Sequence, residues 1–224
     1  MQRKFEFSIG EYYHIYNRGV EKRIIFLDNA DRYRFLKLTY LCNSHNPVNL
    51  EEIPKGESFR YERGETLVDI GAYVLMDNHF HILVKEKETG GISKFMSKVC
   101  TGYSMYFNKR YKHSGALFQG VFQATEMNTD PLLEYIYSYI HLNPIKIIEP
   151  EWKEKGIEDA EKAIKFLDGY MFSSYLDYKN SQTRELSSIL NKESFPEYFS
   201  NQVEFIDILN TWLRFQEKDD EIVG

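Results

Sequence analysis

Hydrophobic and polar positions divide the chain into short periodic runs with clear breaks between them. Residues 12–18 (YYHIYNR) are rich in β-formers and stop at Gly19, which predicts a first strand. Residues 30–43 place Tyr33, Leu36, Tyr40 and Leu41 on one helical face, with Asp28 or Asn29 as the cap. Residues 44–56, with Asn46-Pro47 and Pro54, read as a loop. The nearly unbroken apolar run TLVDIGAYVLM then predicts a buried strand, Asp77-Asn78 a turn, and HFHILVK the partner strand of a hairpin. A Gly-Gly break at 90–91 precedes a long helical pattern, ISKFMSKVCTGYSMYFNKRY. Residues 115–123 read as a loop or strand passing through Gly120. Residues 131–142 predict a helix with Pro131 in its first turn and Pro144 just beyond its end.

This order of strand, helix, hairpin, helix, strand and helix predicts an α+β fold over residues 1–150, a ferredoxin-like antiparallel sheet with helices on one face. After Pro150 the character changes. Residues 156–167 and 202–217 read as helices, so residues 151–224 are expected to form an acidic α-helical C-terminal extension.

Composition is that of an ordinary globular chain, 42% hydrophobic and 28% charged, apart from an aromatic content of 16% carried mainly by 17 Tyr and 16 Phe. Cys42 and Cys100 match neither a zinc spacing nor a disulfide framework, and no apolar run is long enough to span a bilayer. These features predict a cytoplasmic protein without a membrane partner.

The net charge of -6 argues against nucleic acid only until its distribution is considered. Residues 1–150 hold 19 Lys and Arg against 18 Asp and Glu, whereas residues 151–224 hold 9 against 16. No acidic residue lies between Glu88 and Glu126, a stretch that contains Lys94, Lys98, Lys109, Arg110 and Lys112 with Phe107, Tyr111, Phe118 and Phe122 interleaved. Such a stretch offers charges for phosphates and rings for unpaired bases, or it is a solvated helix face beside core aromatics. Asn17, Arg18, Lys22 and Arg23 form a second cluster after the first strand.

Two patterns carry chemistry. In a strand the imidazoles of His79 and His81 share a face while Phe80 points to the other, so the pair suits one divalent metal or a half-exposed polar stripe. Tyr139 and Asn143 stand at i and i+4 on the last helix of residues 1–150, which brings a phenol and a carboxamide to one face. The same spacing also suits a core aromatic followed by a C-cap. Tyr137, two residues from Tyr139, is rotated by about 200° and must face elsewhere, as must His141. Tyr103 sits on the preceding helix with Tyr106 close by, and His14 is read as a strand-packing residue.

The segments YYHIYNRGVEKRIIF, GAYVLMDNHFHILVK, GYSMYFNKRYKHSGALFQGVFQA and YIYSYIHLNPIK, in this order, resemble the REP-associated tyrosine transposases, relatives of the single-tyrosine HUH transposases of single-strand insertion sequences. The resemblance runs from about residue 12 to 146, and YMFSSYLDY at 170–178 extends it. It implies a transposase that cleaves and rejoins hairpin-flanked single-stranded DNA through a 5′-phosphotyrosine intermediate, with Mg2+ or Mn2+ as cofactor. His79, His81 and Asn143 become the implied metal ligands and Tyr139 the implied nucleophile. The insertion-sequence relatives commonly carry Gln where this chain has Asn143, and Pro144 is expected to turn that carboxamide off the helix path.

The implied partner is single-stranded or hairpin DNA. A homodimer stays open, because the insertion-sequence relatives work as dimers while the REP-associated branch need not. Two other readings compete: a catalytically silent hairpin-DNA-binding descendant, and a metal hydrolase acting on a small phosphoester. The first has to explain why every presumptive catalytic position is intact, the second why Tyr139 and the basic stretch are present.

Overall fold

The computed structural model describes residues 6–50, 52–180 and 183–197, together with 203, 205 and 207. The helix expected over 202–217 lies almost wholly outside them. Strand β1 (Tyr12–Arg18) leads to α1 (Asn29–Leu41), the hairpin β2 (Val68–Met76) and β3 (His79–Glu86), then α2 (Gly91–Tyr111), β4 (Gln123–Glu126) and α3 (Asp130–Leu142). Short helices follow: α4 (Trp152–Lys155), α5 (Ala160–Gly169) and α6 (Tyr175–Lys179). The strands pair antiparallel in the order β2-β3-β1-β4.

Local signals explain the element boundaries. The Asp28 carboxylate accepts from the Asp31 backbone N–H at 3.0 Å to cap α1, and Thr129 caps α3 with Pro131 in the first turn. The Asp77-Asn78 turn is tied down from outside, because the Asp77 carbonyl accepts from the N–H groups of Ile25 and Phe26 and that of Asn78 from Gly19.

The α+β antiparallel architecture is as expected, but helices cover both faces of the sheet. α1 and α2 bury Ile15, Ile70, Phe80, Ile82 and Val84 on one side. On the other, α3 and residues from 152 onward bury Ala72, Val74 and Leu83. β2 is buried along its whole length, and this two-sided burial is why its sequence is a continuous apolar run.

The C-terminal segment does not stand apart. Trp152, Leu167, Tyr175, Tyr178 and Phe195 share one core with α3. The backbone around Ser173 runs along the outer edge of β2: the Leu75 N–H donates to the Phe172 carbonyl at 3.0 Å, and the Ser174 N–H to the Tyr73 carbonyl at 2.9 Å. Gly71, at a bulge in β2, lies so close to the Phe195 ring that an added Cβ would sit 2.6 Å from it.

Candidate active site

β3 supplies the first two side chains. Its alternation sends Phe80 into the core beneath α1 and α2 and turns His79 and His81 toward α3. The two imidazole centroids are 5.0 Å apart with planes at 88°. Tyr139 brings its ring to 5.3 Å from that of His81, edge-on at 82°. Asn143 keeps helical geometry (φ -51°, ψ -37°), and its N–H donates to the Tyr139 carbonyl. The expected turn away from the helix path does not occur. Pro144 sits in the first turn of a 3-10 helix, Asn143–Ile147, where a missing N–H costs nothing. The Asn143 side chain therefore acts on both His79 and Tyr139.

Burial sets the charge states. It pushes His79 down to about 4, with nearby Lys146 adding to the effect, and holds His81 well below its ordinary value, with His14 and His79 adding. Both imidazoles are neutral near pH 7, the form that binds metals. Burial raises the Tyr139 phenol, while Lys153 and Asn143 oppose that rise.

Nε2 of His81 and Oδ1 of Asn143 are buried with no hydrogen-bond partner. Two such buried acceptors are costly unless something satisfies them. A divalent ion would do so, and neutral imidazoles with a carboxamide oxygen fit a hard ion that keeps open positions. Among the described residues no three His, Cys, Asp or Glu side chains gather at a metal-sized position, so Asn143 would have to complete the set.

His14, read from sequence as strand packing, has a more specific place. It is buried on β1, and its Nε2 lies 2.8 Å from Nδ1 of His81. In the tautomer that leaves Nε2 of His81 a lone pair, Nδ1–H donates to His14 and fixes the ring. Nδ1 of His79 is held in the same way, 2.6 Å from Oδ1 of Asn78. No single segment reveals the His14 contact, which depends on the register that sets Tyr16 opposite His81 and His14 opposite Leu83.

A cavity of about 1080 Å³ opens over these groups, lined in part by Tyr16, Arg18, Lys22, His79, Tyr139 and Lys146. The basic residues singled out from sequence divide accordingly. Arg18 and Lys22 are exposed on the cavity rim, and Asn17 lines it while its amide donates to the Gly120 carbonyl at 3.3 Å. Arg23 contacts His113.

The α2 group lies on the helix across the sheet. Lys98 donates to the carbonyls of Ser44 and Asn46, and Arg110 pairs with Asp28 and buried Asp31 at 2.6 and 2.7 Å. Lys94, Lys109 and Lys112 are exposed. Phe107, Phe118 and Phe122 are core residues and present no face to bases. Tyr103 is buried, its hydroxyl donating to the Ile25 carbonyl at 2.5 Å. Tyr137 and His141 face away from the site as expected, and Nε2 of His141 lies 2.7 Å from Oγ of Ser174.

The family described as "Transposase IS200 like" matches residues 56–143, a span that begins before the hairpin, includes both histidines and Tyr139, and ends on Asn143. Residues 56–143 are therefore similar to the IS200-like transposases. The match covers under half of the residues, and the C-terminal segment lies beyond it.

Among solved structures the chain is similar to one described as a REP-associated tyrosine transposase bound to a REP hairpin. Identity there is 13%, over 79% of this chain and 84% of that one, with a TM-score of 0.47. It is also similar to the tRNA(His) guanylyltransferase from Saccharomyces cerevisiae, at 14% identity over 89% and 86% with a TM-score of 0.36. Both scores are too low to carry a functional argument. No curated protein matches the chain. No helix among the described residues is long and apolar enough to cross a membrane.

Proposed function

We propose that this protein is an IS200-like transposase that cleaves and rejoins hairpin-flanked single-stranded DNA, with Tyr139 as nucleophile and His79, His81 and Asn143 as ligands for Mg2+ or Mn2+. The observation that carries the reading is the orphaned Nε2 of His81 beside the Tyr139 ring, with His79 in the same basic-rimmed cavity and the equally orphaned Oδ1 of Asn143 one turn after Tyr139 on the chain.

Arg18, Lys22 and Lys146 draw the DNA backbone to the cavity through phosphate charge. Tyr139 attacks the phosphorus: its oxygen forms a new bond to phosphorus, the bond to the 3′ oxygen breaks, and the proton lost by the phenol is matched by one gained at the released 3′-OH. The phosphodiester is kept as a 5′-phosphotyrosine, so another 3′-OH reverses the step without nucleotide hydrolysis. A bound divalent ion would withdraw charge from the scissile phosphate. His14 and Asn78 hold the two imidazoles in the tautomers that ligation needs.

The experiment is incubation with labelled single-stranded hairpin oligonucleotides from the DNA beside its own gene, with Mn2+, followed by a denaturing gel. A covalent adduct is expected with the natural chain and none with Tyr139→Phe, which keeps the ring and its packing. An adduct that survives Tyr139→Phe would remove Tyr139 from the role.

A further inference from the structure

Beyond Asn143, where the family match ends, the chain returns to the site. α4 follows the 3-10 turn, and its Trp152 is buried and stacked with Tyr139, ring centroids 6.5 Å apart at 29°. Tyr135, one turn before Tyr139 on α3, stacks with the same ring at 6.2 Å and 5°. Lys153, the residue after Trp152, places its Nζ 4.5 Å from the centre of the Tyr139 ring. Its charge is felt by Tyr139, His14 and His81 together.

The neighbouring cation on the same turn, Lys155, is fully exposed and spends its charge on Glu151 at 2.7 Å. Lys153 has no carboxylate partner among the described residues. An ammonium over an aromatic face holds the ring through its quadrupole, most strongly where water is partly excluded.

We propose that Lys153 is a positioning residue for Tyr139: it clamps the phenol ring in its orientation toward His81 and keeps positive charge beside the oxygen that attacks the phosphate. The proposal rests on the reading of Tyr139 as nucleophile. It gives the segment after the family match a part in the reaction, and it explains why a lysine in an acidic region is turned inward.

The test uses Lys153→Met, Lys153→Arg and Lys155→Met in the full chain, with two readouts. In the first, the single-turnover rate of adduct formation is measured on hairpin oligonucleotides at saturating DNA with Mn2+. Lys153→Met is expected to slow it by about tenfold or more while hairpin affinity stays within about twofold. Lys153→Arg should recover most of the rate, and Lys155→Met should match the natural chain.

The second readout needs no DNA. In protein with 13C-labelled tyrosine rings, the Tyr139 signals, identified by their absence in Tyr139→Phe, should shift or broaden in Lys153→Met and return in Lys153→Arg. Unchanged Tyr139 signals in Lys153→Met, or a full rate in a background where Tyr139→Phe forms no adduct, would overturn the role of Lys153. A persistent adduct in Tyr139→Phe would instead overturn the nucleophile and is seen separately.

Discussion

The two faces of β3 show how one strand serves two purposes. Phe80, Ile82 and Val84 enter a closed hydrophobic core beneath α1 and α2. His79 and His81, one residue out of step, enter a space that contains acceptors without partners, a half-buried phenol and exposed cations. The first face is optimised for packing. The second tolerates unsatisfied polar atoms that a purely structural core would have replaced.

The sharpest way to break this contrast is to remove what covers the histidine-bearing face. Truncation after Pro150 deletes Trp152, Leu167, Tyr175, Tyr178 and Phe195 from its core. Each large buried side chain is worth about 3–5 kcal/mol, and a whole domain has only about 5–15. The truncated chain is expected not to fold, as read by circular dichroism. A cooperative thermal transition near that of the full chain would show the C-terminal segment to be dispensable.

Next come two neighbours on one strand. Phe80→Ala should cost about 3–5 kcal/mol in urea unfolding, because it empties a closed core. His81→Ala should cost less, since the loss of the His14 hydrogen bond is partly offset by removal of an orphaned buried acceptor, yet it should abolish cleavage. Equal destabilisation by the two substitutions would erase the distinction between the faces.

Acid should act chiefly on the histidine-bearing side. Burial lowers His14 and His141 to about 3 and His79 to about 4, whereas in the unfolded chain each titrates near 6.5. Below pH 6.5 the unfolded state binds protons that the folded state refuses. Stability should therefore be level above that pH and fall toward pH 4 by about 1.4 kcal/mol per pH unit for each such histidine. Urea midpoints that do not move between pH 7 and 5 would contradict this.

The smallest effect separates the cations. Arg18→Ala or Lys146→Ala, on the cavity side, should weaken hairpin binding and flatten the plot of log affinity against log salt by about 0.7–0.9 for each phosphate left without its cation. Lys109→Ala, on α2, should leave that slope alone, and a slope changed equally by all three would place DNA on both sides.

Much of this was readable in advance where the signal is local. The caps of α1 and α3, the Asp77-Asn78 turn and the shared face of His79 and His81 all follow from residues within a few positions of one another. Readings failed where a distant partner decides. Arg110 looked free until Asp28 and Asp31 of α1 met it, and Phe107 and Phe118 looked available until the sheet closed over them. The second helical layer was foreshadowed only by the unbroken apolar run of β2. His14 and Lys153 carry no local mark, because cross-strand register and the return of the chain at α4 bring them to the site.

The segment around Ser173 also governs how this molecule can meet copies of itself. Unpaired strand edges invite another chain to add a strand, the usual route to fibrous aggregation. Along the outer side of β2 that invitation is withdrawn, because Phe172 and Ser174 occupy hydrogen-bonding positions there and the Asn191 N–H takes the Ile70 carbonyl. The opposite edge, β4, is four residues long and offers little to template on. A sheet buried on both faces and blunted at both margins leaves self-association to side-chain surfaces, so a symmetric dimer of this protein would not be built by extending its sheet.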